Sequence, residues 1–280
     1  MPNTIEDIIL DHDQRGISAL RPHLPEDFCT QAAQHILDHP GETLIVTGFY
    51  ILSAGKHETD GPPGAIAIGK ALHALGRKVG YVADLHTAPM LRESLGDQAW
   101  VIEFPITDVA TSKQQAEEIL NQVQPELVVS IERCSRTSSD TYLNMRSNEI
   151  TQNTARLDYL FEAGIPSVGI GDGGNEIGMG NLATIIPTLD KLPKDPGITR
   201  VDQLVIASVS NWGGYGLVAA LSELKGQNLL PTIEEDKALI RLTVDLGAVD
   251  GMSAKQEYKV DGFTLEENSQ AVQALHDYLA

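Results

Sequence analysis

The chain has little cysteine, few basic residues and no long apolar run. Its two cysteines, Cys29 and Cys134, are too few for a disulfide framework and lack the CxxC spacing of redox and zinc motifs. This favours a reducing compartment, and we expect a cytoplasmic protein. No stretch reaches the roughly 18 apolar residues of a membrane helix. The first residues also lack the basic start and apolar core of a signal peptide, so we expect no membrane partner.

The shortage of positive charge limits the class of ligand. The sequence has 20 Lys and Arg against 39 Asp and Glu, a formal net charge of -19. Nucleic acids are bound by clustered basic residues that offset phosphate charge, so we expect no nucleic-acid partner. A small anionic metabolite, such as an amino acid or a phosphoester, fits the chain better. Because carboxylates repel such a ligand, the charge balance favours a bound cation or arginines that reverse the local field.

Short apolar, β-branched runs alternate with helical patterns along most of the chain. Near-continuous Val, Ile and Leu runs between helices are typical of parallel strands that are buried on both faces. The sequence therefore predicts an α/β fold, with a doubly wound, mainly parallel sheet and helices on both faces, in a three-layer Rossmann-like arrangement. The predicted strands are 43–48, 78–84, 100–104, 126–131, 165–170 and 203–209.

We expect one domain over residues 1–280, because no internal repeat or linker divides the sequence. Residues 1–40 carry two helical patterns that should pack on the sheet, and residues 41–280 should form the α/β core. Apolar surface on these first helices could also serve a homo-oligomer. The predicted helices are 5–10, 28–37, 64–75, 88–95, 112–121, 153–163, 217–224 and 264–279.

The most informative segment is residues 169–181, which places two carboxylates and an amide among six glycines. It follows a predicted buried strand, and open α/β sheets bind their ligands at the carboxyl ends of strands. Glycine permits tight turns and close approach of a ligand. Asp172, Asn175 and Glu176 supply hard oxygen ligands, which favour Mg²⁺, Mn²⁺ or Ca²⁺ over Zn²⁺ if a metal binds.

A dinucleotide site is the main alternative for this loop, since Gly169, Gly171 and Gly174 match G-x-G-x-x-G. However, Asp172 would repel a pyrophosphate, and residues 175–181 contain too much glycine for the helix that the motif requires. The sequence also lacks the motifs of P-loop nucleotide triphosphate binding, zinc proteases and serine hydrolases. These functions are not expected.

A second candidate segment, residues 55–64, lies between the first strand and the first crossover helix. In a doubly wound sheet this loop faces the ligand crevice, and the free amides of the helix's first turn can hold an anion. Glu58 and Asp60 are candidate ligands or acid–base groups, while Thr59 or the amides of the turn, including that of Gly61, could hold substrate oxygens. The alternative is a solvated helix cap formed by Asp60. The presence of a second acidic loop at another strand end favours a site.

A third candidate pair, Glu132 and Arg133, directly follows the strand predicted at 126–131. The pair places a carboxylate and a guanidinium at the same rim. Arg133 or Arg146 could bind a substrate carboxylate or phosphate through two parallel hydrogen bonds. The alternative for Arg133 is an internal ion pair at the base of the loop. Cys134 has no identifiable histidine partner, so we do not expect a thiol nucleophile.

Taken together, these segments resemble the C-terminal domain of D-glutamate cyclase and its free-standing microbial relatives. The resemblance extends from the first strand to the region of Asp250 and Gly251, and its two acidic glycine-containing loops are specific motifs. The matching segments are Glu58-Thr-Asp-Gly-Pro-Pro-Gly-Ala65, Glu132-Arg133, Asn144-Met-Arg146, residues 169–181 and Ser210-Asn-Trp-Gly-Gly-Tyr-Gly216.

The resemblance implies a lyase that closes D-glutamate to 5-oxo-D-proline with loss of water. The amine must attack an unreactive carboxylate, so a Lewis acid or cation has to withdraw charge while a base takes the ammonium proton. The implied cofactor is a divalent cation, Mg²⁺ or Mn²⁺, with Ca²⁺ as an alternative. The expected metal ligands are Asp60, Asp172, Asn175 and Glu176. The catalytic candidates are Glu58 or Glu132 as the base and Arg133 or Arg146 as the residue that holds the α-carboxylate. The substrate-binding candidates are Thr59, Gly61, Gly173, Gly174, Asn144 and Asn211.

Two other functions stay open from the sequence. An acidic cluster that holds Mg²⁺ or Mn²⁺ also activates water in phosphatases and other phosphoester hydrolases. The same fold could instead bind a metabolite without catalysis, because fold alone does not determine function.

Overall fold

The computed structural model describes residues 4–96 and 100–280. The first three residues of the predicted N-terminal helical region therefore lie outside the described residues. The strands are β1 Thr43–Thr47, β2 Tyr50–Ile51, β3 Lys56–His57, β4 Val79–Ala83, β5 Val101–Glu103, β6 Leu127–Ile131, β7 Ser167–Gly171, β8 Gln203–Ile206, β9 Lys259–Val260 and β10 Phe263–Thr264.

Six of these strands form one sheet in the order β5-β4-β1-β6-β7-β8, and each neighbouring pair is parallel. Every residue of β1, β6 and β7 is buried, as expected for a sheet that is covered on both faces. The order reverses between β1 and β6, and a doubly wound sheet binds its ligands at such a reversal. The remaining strands pair as two short antiparallel ribbons, β2 with β3 and β9 with β10.

Helices cover the sheet, and the predicted doubly wound, three-layer α/β fold is confirmed. Helices α3 and α6 pack against each other and on the central strands; α1, α2 and α8 pack on α6, while α5 packs on the turn at Leu157–Leu160. The helices are α1 Ile5–Ile9, α2 Phe28–Asp38, α3 Pro62–Ala74, α4 Ala88–Leu95, α5 Val109–Val123, α6 Ser210–Lys225, α7 Ile233–Asp245 and α8 Leu265–Leu279, with 3₁₀ turns at Ile17–His23, Thr151–Asn153, Leu157–Leu160, Met179–Leu182 and Ile186–Thr188. The division into one domain stays a prediction.

Two helix predictions are wrong for local reasons. The helix predicted at 153–163 is a pair of short 3₁₀ turns. There the buried side chain of Asp158 accepts hydrogen bonds from Ser135 and from the amide of Arg136, which fixes an irregular backbone. The helix predicted to start at Ser112 starts earlier, because the Asp108 side chain accepts the amides of the first turn.

Helix α6 also begins earlier than predicted, at Ser210 instead of residue 217. The glycines of its first half lie before the predicted helix, and in the structure they permit close packing. A Cβ on Gly214 would lie 3.1 Å from the Cα of Gly64 in α3, and one on Gly213 would lie 2.6 Å from the side chain of Ile170. Tertiary contacts therefore outweigh the low helix propensity of glycine.

A buried carboxylate, that of Asp236, connects α6, α7 and α8. The Tyr215 hydroxyl and the Asn268 amide donate to its two oxygens. The Trp212 indole N–H donates in turn to Asn268 at 2.8 Å. Burial raises the pKa of Asp236 from 3.8 to about 6.

We expect Asp236→Asn to flatten the pH dependence of the unfolding free energy between about pH 4 and 6. A carboxyl whose pKa is higher in the folded state binds more protons there, so its contribution to stability falls as the pH rises through this window. A shift of about two units corresponds to roughly 3 kcal/mol. Urea unfolding at pH 4.5 and pH 7 measures the difference. Asp277→Asn, on an exposed position of α8, is the control, and an unchanged slope in the Asp236 variant would contradict the assignment.

Candidate active site

A cavity of about 470 Å³ opens at the carboxyl ends of β1 and β6, where the strand order reverses. Its volume is in the range of about 300–1,000 Å³ that holds small metabolites. Six of the residues predicted from the sequence line it: Glu58, Glu132, Asn144, Arg146, Asn175 and Glu176. Arg146 is exposed at the mouth, whereas both Glu58 and Glu132 are buried. The three predicted segments therefore meet at one place.

Asp60 and Asn211 join the first turns of α3 and α6 beneath this cavity. The two Asp60 oxygens accept the amides of Ser210 at 2.9 Å and of Asn211 at 2.8 Å. In return, Asn211 Oδ1 accepts the amides of Gly61 at 3.0 Å and of Gly64 at 2.8 Å. Asp60 thus acts as a cap, but chiefly for α6. Both side chains position the site from below and neither lines the cavity.

Thr59 and Gly61, the other predicted residues of this loop, also serve its shape. The Thr59 hydroxyl donates to the carbonyl of Lys259 at 2.7 Å. Gly61 has a φ of 95°, and a Cβ there would lie 2.6 Å from the Cβ of Glu132. Only glycine fits this turn without moving Glu132, and this close approach places Glu132 beside the Glu58 loop.

Asp172 belongs to two overlapping acidic groups in the described part of the chain. Oxygens of Asp60, Asp172 and Asp261 lie within 4.8 Å of one another, as do those of Glu132, Asp172 and Glu176. Asp261 comes from the turn between β9 and β10, where Asp261 and Gly262 have φ of 51° and 84°. Both values are typical of an Asp-Gly hairpin turn. The turn brings the C-terminal region to the loop after β7.

Arg15 spans this acidic group from the opposite end of the chain. Its Nη1 donates to Asp172 Oδ1, and its Nη2 donates to Asp261 Oδ1 at 2.6 Å. The remaining Oδ2 atoms of Asp172 and Asp261 are buried and have no hydrogen-bond partner among residues 4–96 and 100–280. The same is true of Asn175 Oδ1. Three oxygen acceptors therefore stay available to a ligand.

Burial and crowding change the protonation of these carboxyl groups. Burial, reinforced by the charge of Asp261, raises the pKa of Glu58 well above its usual range and that of Asp60 to about 7. Burial also raises the pKa values of Asp172 and of Glu132, the latter reinforced by the charge of Glu176. The Arg15 guanidinium opposes each of these shifts. More positive charge is needed before all of these groups can ionise together.

The donor set fits a hard divalent cation. Carboxylate oxygens and an amide oxygen are the ligands that Mg²⁺ and Mn²⁺ prefer, and unpartnered buried oxygens are costly unless something binds them. The best-placed residues are Asp172 and Asp261, whose Oδ2 atoms have no partner in the described ranges. Asp60 lies within reach of them, but both of its oxygens already accept backbone amides. Glu176 is similar, since its oxygens accept the amides of Gly173 at 2.6 Å and Gly174 at 2.8 Å. It therefore shapes the loop in addition to facing the cavity.

Arg133 lies behind the cavity, outside the lining residues. Its guanidinium donates to Asp84 at 2.6 Å and to the carbonyls of Gly48 and Ala155, both at 2.8 Å. This is the internal ion pair that was the alternative interpretation. Neighbouring Cys134 is buried, and burial raises the pKa of its thiol well above the usual value. The thiol form does not favour nucleophilic attack.

Sequence reasoning missed two residues of the site, Arg15 and Asp261. The Asp261-Gly262 pair is a strong hairpin signal in the sequence, but the signal does not say where in the fold the turn lies. Arg15 lies in a polar segment between two helical patterns, without a motif around it. Both reach the site through contacts that are distant in sequence, which local patterns do not reveal.

We expect Gly251→Ala to slow any reaction that this cavity carries out by about tenfold or more, while changing stability little. A Cβ at this position would lie 2.3 Å from Glu58 Oε2, so the Glu58 carboxylate would have to move. Displacing a catalytic group by about 1 Å can cost a hundredfold in rate. Steady-state kinetics and thermal unfolding measure the two effects. Ser138→Ala, at an exposed position outside the cavity lining, is the control, and full activity of the Gly251 variant would show that the position of Glu58 is not critical.

The fold and the site define the class: an α/β protein with an acidic small-molecule cavity at the switch point of a doubly wound sheet. The family model for D-glutamate cyclase-like C-terminal domains matches residues 5–276, and the chain belongs to this family. The human mitochondrial D-glutamate cyclase is 33% identical over 235 residues. The match covers 76% of this chain and 37% of the human protein, so the chain spans little more than a third of that relative.

Two solved structures show weaker likeness. A crystal structure of an exopolyphosphatase-related protein from Bacteroides fragilis has a TM-score of 0.45 at 5% identity, covering 91% of this chain and 57% of that chain. The apo form of LigD from Sphingobium sp. strain SYK-6 has a TM-score of 0.27 at 11% identity, covering 86% and 87%. Neither value supports an inference about function.

No helix in the described ranges, 4–96 and 100–280, combines the length and apolar character needed to cross a membrane.

Proposed function

We propose that this chain is a lyase that closes D-glutamate to 5-oxo-D-proline. In this reaction the amine nitrogen bonds to the γ-carboxyl carbon, a C–O bond of that carboxyl breaks, and water leaves. The observation that carries the proposal is that Glu58, Glu132 and Arg15 line one cavity. These groups are what an amino dicarboxylic acid requires: two proton carriers and a cation. The family relation and the human relative's name support the same reaction.

Glu58 is the proposed base that takes the proton from the substrate ammonium. Its pKa is raised by burial and then by the charges of Asp261 and Asp60. A cation near these two aspartates would offset their repulsion and so favour the ionised form of Glu58. This is the state in which a carboxylate can accept a proton from an amine.

Glu132 is the proposed acid that protonates the departing oxygen. Burial, reinforced by the charge of Glu176, raises the pKa of Glu132 well above its usual range, which favours the protonated form that an acid needs. Its Oε2 is 2.6 Å from the Ser210 hydroxyl, which fixes the orientation of the carboxyl group. The proposal thus divides the base and acid roles between two carboxyl groups that line the same cavity.

The proposed cofactor is Mg²⁺ or Mn²⁺, with Ca²⁺ as an alternative. Asp172, Asp261 and Asp60 would hold it, with Asn175 and Glu176 beside them. When bound, the cation would withdraw electron density from the γ-carboxylate, which is otherwise a poor electrophile. Arg146 and Asn144, which line the cavity, are the proposed partners of the other carboxylate. Arg146 is preferred to Arg133, whose guanidinium already pairs with Asp84.

Product analysis tests the proposal. Purified protein with Mn²⁺ or Mg²⁺ is incubated separately with D-glutamate, with L-glutamate and with a generic phosphoester. We expect 5-oxo-D-proline from D-glutamate and no phosphate release. Phosphate release without ring closure would instead show a phosphoester hydrolase, and neither product would leave a metabolite-binding domain. The cytoplasmic location and a homo-oligomer stay predictions.

A further inference from the structure

The Arg15 guanidinium occupies the position that a bound cation would need. It donates to one oxygen of Asp172 and one of Asp261, the two carboxylates that contribute unpartnered oxygens to the acidic group. The Arg15 side chain is 15% exposed, whereas those of Asp172 and Asp261 are 0% and 4% exposed. Arg15 therefore reaches buried carboxylates from the wall of the cavity.

The backbone around Arg15 is fixed, so only its side chain can move freely. The Asp13 carboxylate accepts the amides of Gly16 at 2.6 Å, Ile17 at 3.1 Å and Ser18 at 2.9 Å. These bonds hold the residues on both sides of Arg15 in one turn. The guanidinium lies at the end of a long flexible stem, and it can change partners without a change in the fold.

The charges around Arg15 favour such a change of partner. Glu58, Glu132, Asp172 and Asp261 all act electrostatically on its guanidinium. A divalent cation among Asp60, Asp172 and Asp261 would repel the Arg15 guanidinium. It would also bind the carboxylate oxygens to which Arg15 now donates. A substrate carboxylate in the cavity would offer both guanidinium nitrogens acceptors in one plane. Arg15 would exchange single oxygens of two carboxylates, Asp172 and Asp261, for both oxygens of one.

We propose that Arg15 is a displaceable internal cation that competes with the divalent cation for Asp172 and Asp261, and that it binds a carboxylate of the substrate once it is displaced. The inference rests on the proposed function, because it assumes a divalent cation and an anionic substrate in this cavity. Its consequence is cooperative binding. The cation releases Arg15 for the substrate, and the substrate draws Arg15 from the cation's ligands, so each ligand raises the affinity for the other.

Manganese binding without turnover tests this inference. Mn²⁺ is titrated into the protein with and without glutarate, which has both carboxylates of the substrate but no amine to close a ring. We expect glutarate to raise the Mn²⁺ affinity of the natural chain by about tenfold. Arg15→Gln should bind Mn²⁺ about tenfold more tightly without glutarate and should show no further gain with it. Arg21→Gln, whose guanidinium pairs with Asp7 outside the cavity lining, is the matched control and should retain the coupling.

The outcomes separate this inference from the proposed function. If Mn²⁺ binds but glutarate raises its affinity equally in the natural chain and in Arg15→Gln, the exchange is wrong while the metal site stands. If Mn²⁺ binds none of the proteins, both proposals fail. If thermal unfolding shows that Arg15→Gln is not folded, the coupling is measured in Arg15→Lys instead. Lysine keeps the positive charge but cannot form two parallel hydrogen bonds with one carboxylate. We expect Arg15→Lys to weaken the coupling, and undiminished coupling would overturn the inference.

Discussion

Asp172→Asn is expected to lower ring closure by roughly a thousandfold and to weaken Mn²⁺ binding by at least about tenfold. Asp172 is the carboxylate that both acidic groups share. One of its oxygens accepts from Arg15, and the other is buried without a protein partner among the described residues. An amide at this position removes the charge and presents a donor to either Arg15 or the cation. Steady-state kinetics with D-glutamate and Mn²⁺ titration measure the two losses.

The matched control for this variant is Asp190→Asn, which lies on an exposed part of the same crossover. It should retain both turnover and Mn²⁺ affinity. Thermal unfolding separates loss of function from loss of fold. Unchanged turnover and metal affinity in Asp172→Asn would exclude the loop after β7 as the centre of the site.

Glu58→Gln is expected to lower kcat by roughly a hundredfold to ten-thousandfold. Glutamine keeps the shape of the side chain but cannot accept a proton. In the natural chain the rate should rise with pH through the pKa of Glu58, since the base works only after it has lost its proton, and burial places that pKa above the usual carboxyl range. The variant should lose this limb of the profile. Measuring kcat between pH 5 and 8 tests both statements.

Glu149→Gln is the control for Glu58→Gln, because Glu149 is an exposed glutamate outside the cavity lining. Its activity and its pH profile should match those of the natural chain. An unchanged acidic limb in Glu58→Gln would transfer the role of base to another group, with Glu132 as the next candidate.

Local patterns predicted most of the fold. The buried runs predicted all six sheet strands, and the bounds of α4 agree with the sequence expectation of 88–95. The errors occur where tertiary contacts decide the structure, as in the glycine-rich first half of α6, which packs against α3. Helix α7 was missed, although Thr232 and Glu235 form a capping box that was visible in the sequence.

The site was predictable where it follows strands and unpredictable where it depends on distant segments. Glu132 follows β6, and Asn175 and Glu176 follow β7, so the parallel topology alone brings them to one edge. Arg15 and Asp261 come from opposite ends of the chain and meet only in the folded state. Only their long-range contact reveals that the acidic loop has a cation of its own.

The location of a bound cation tests the central claim most directly. Crystals grown with Mn²⁺ and glutarate should show anomalous density within about 2.5 Å of carboxylate oxygens of Asp172 and Asp261. The Arg15 guanidinium should then point to glutarate in the cavity. Anomalous density elsewhere, or none at this acidic group at saturating Mn²⁺, would contradict the account.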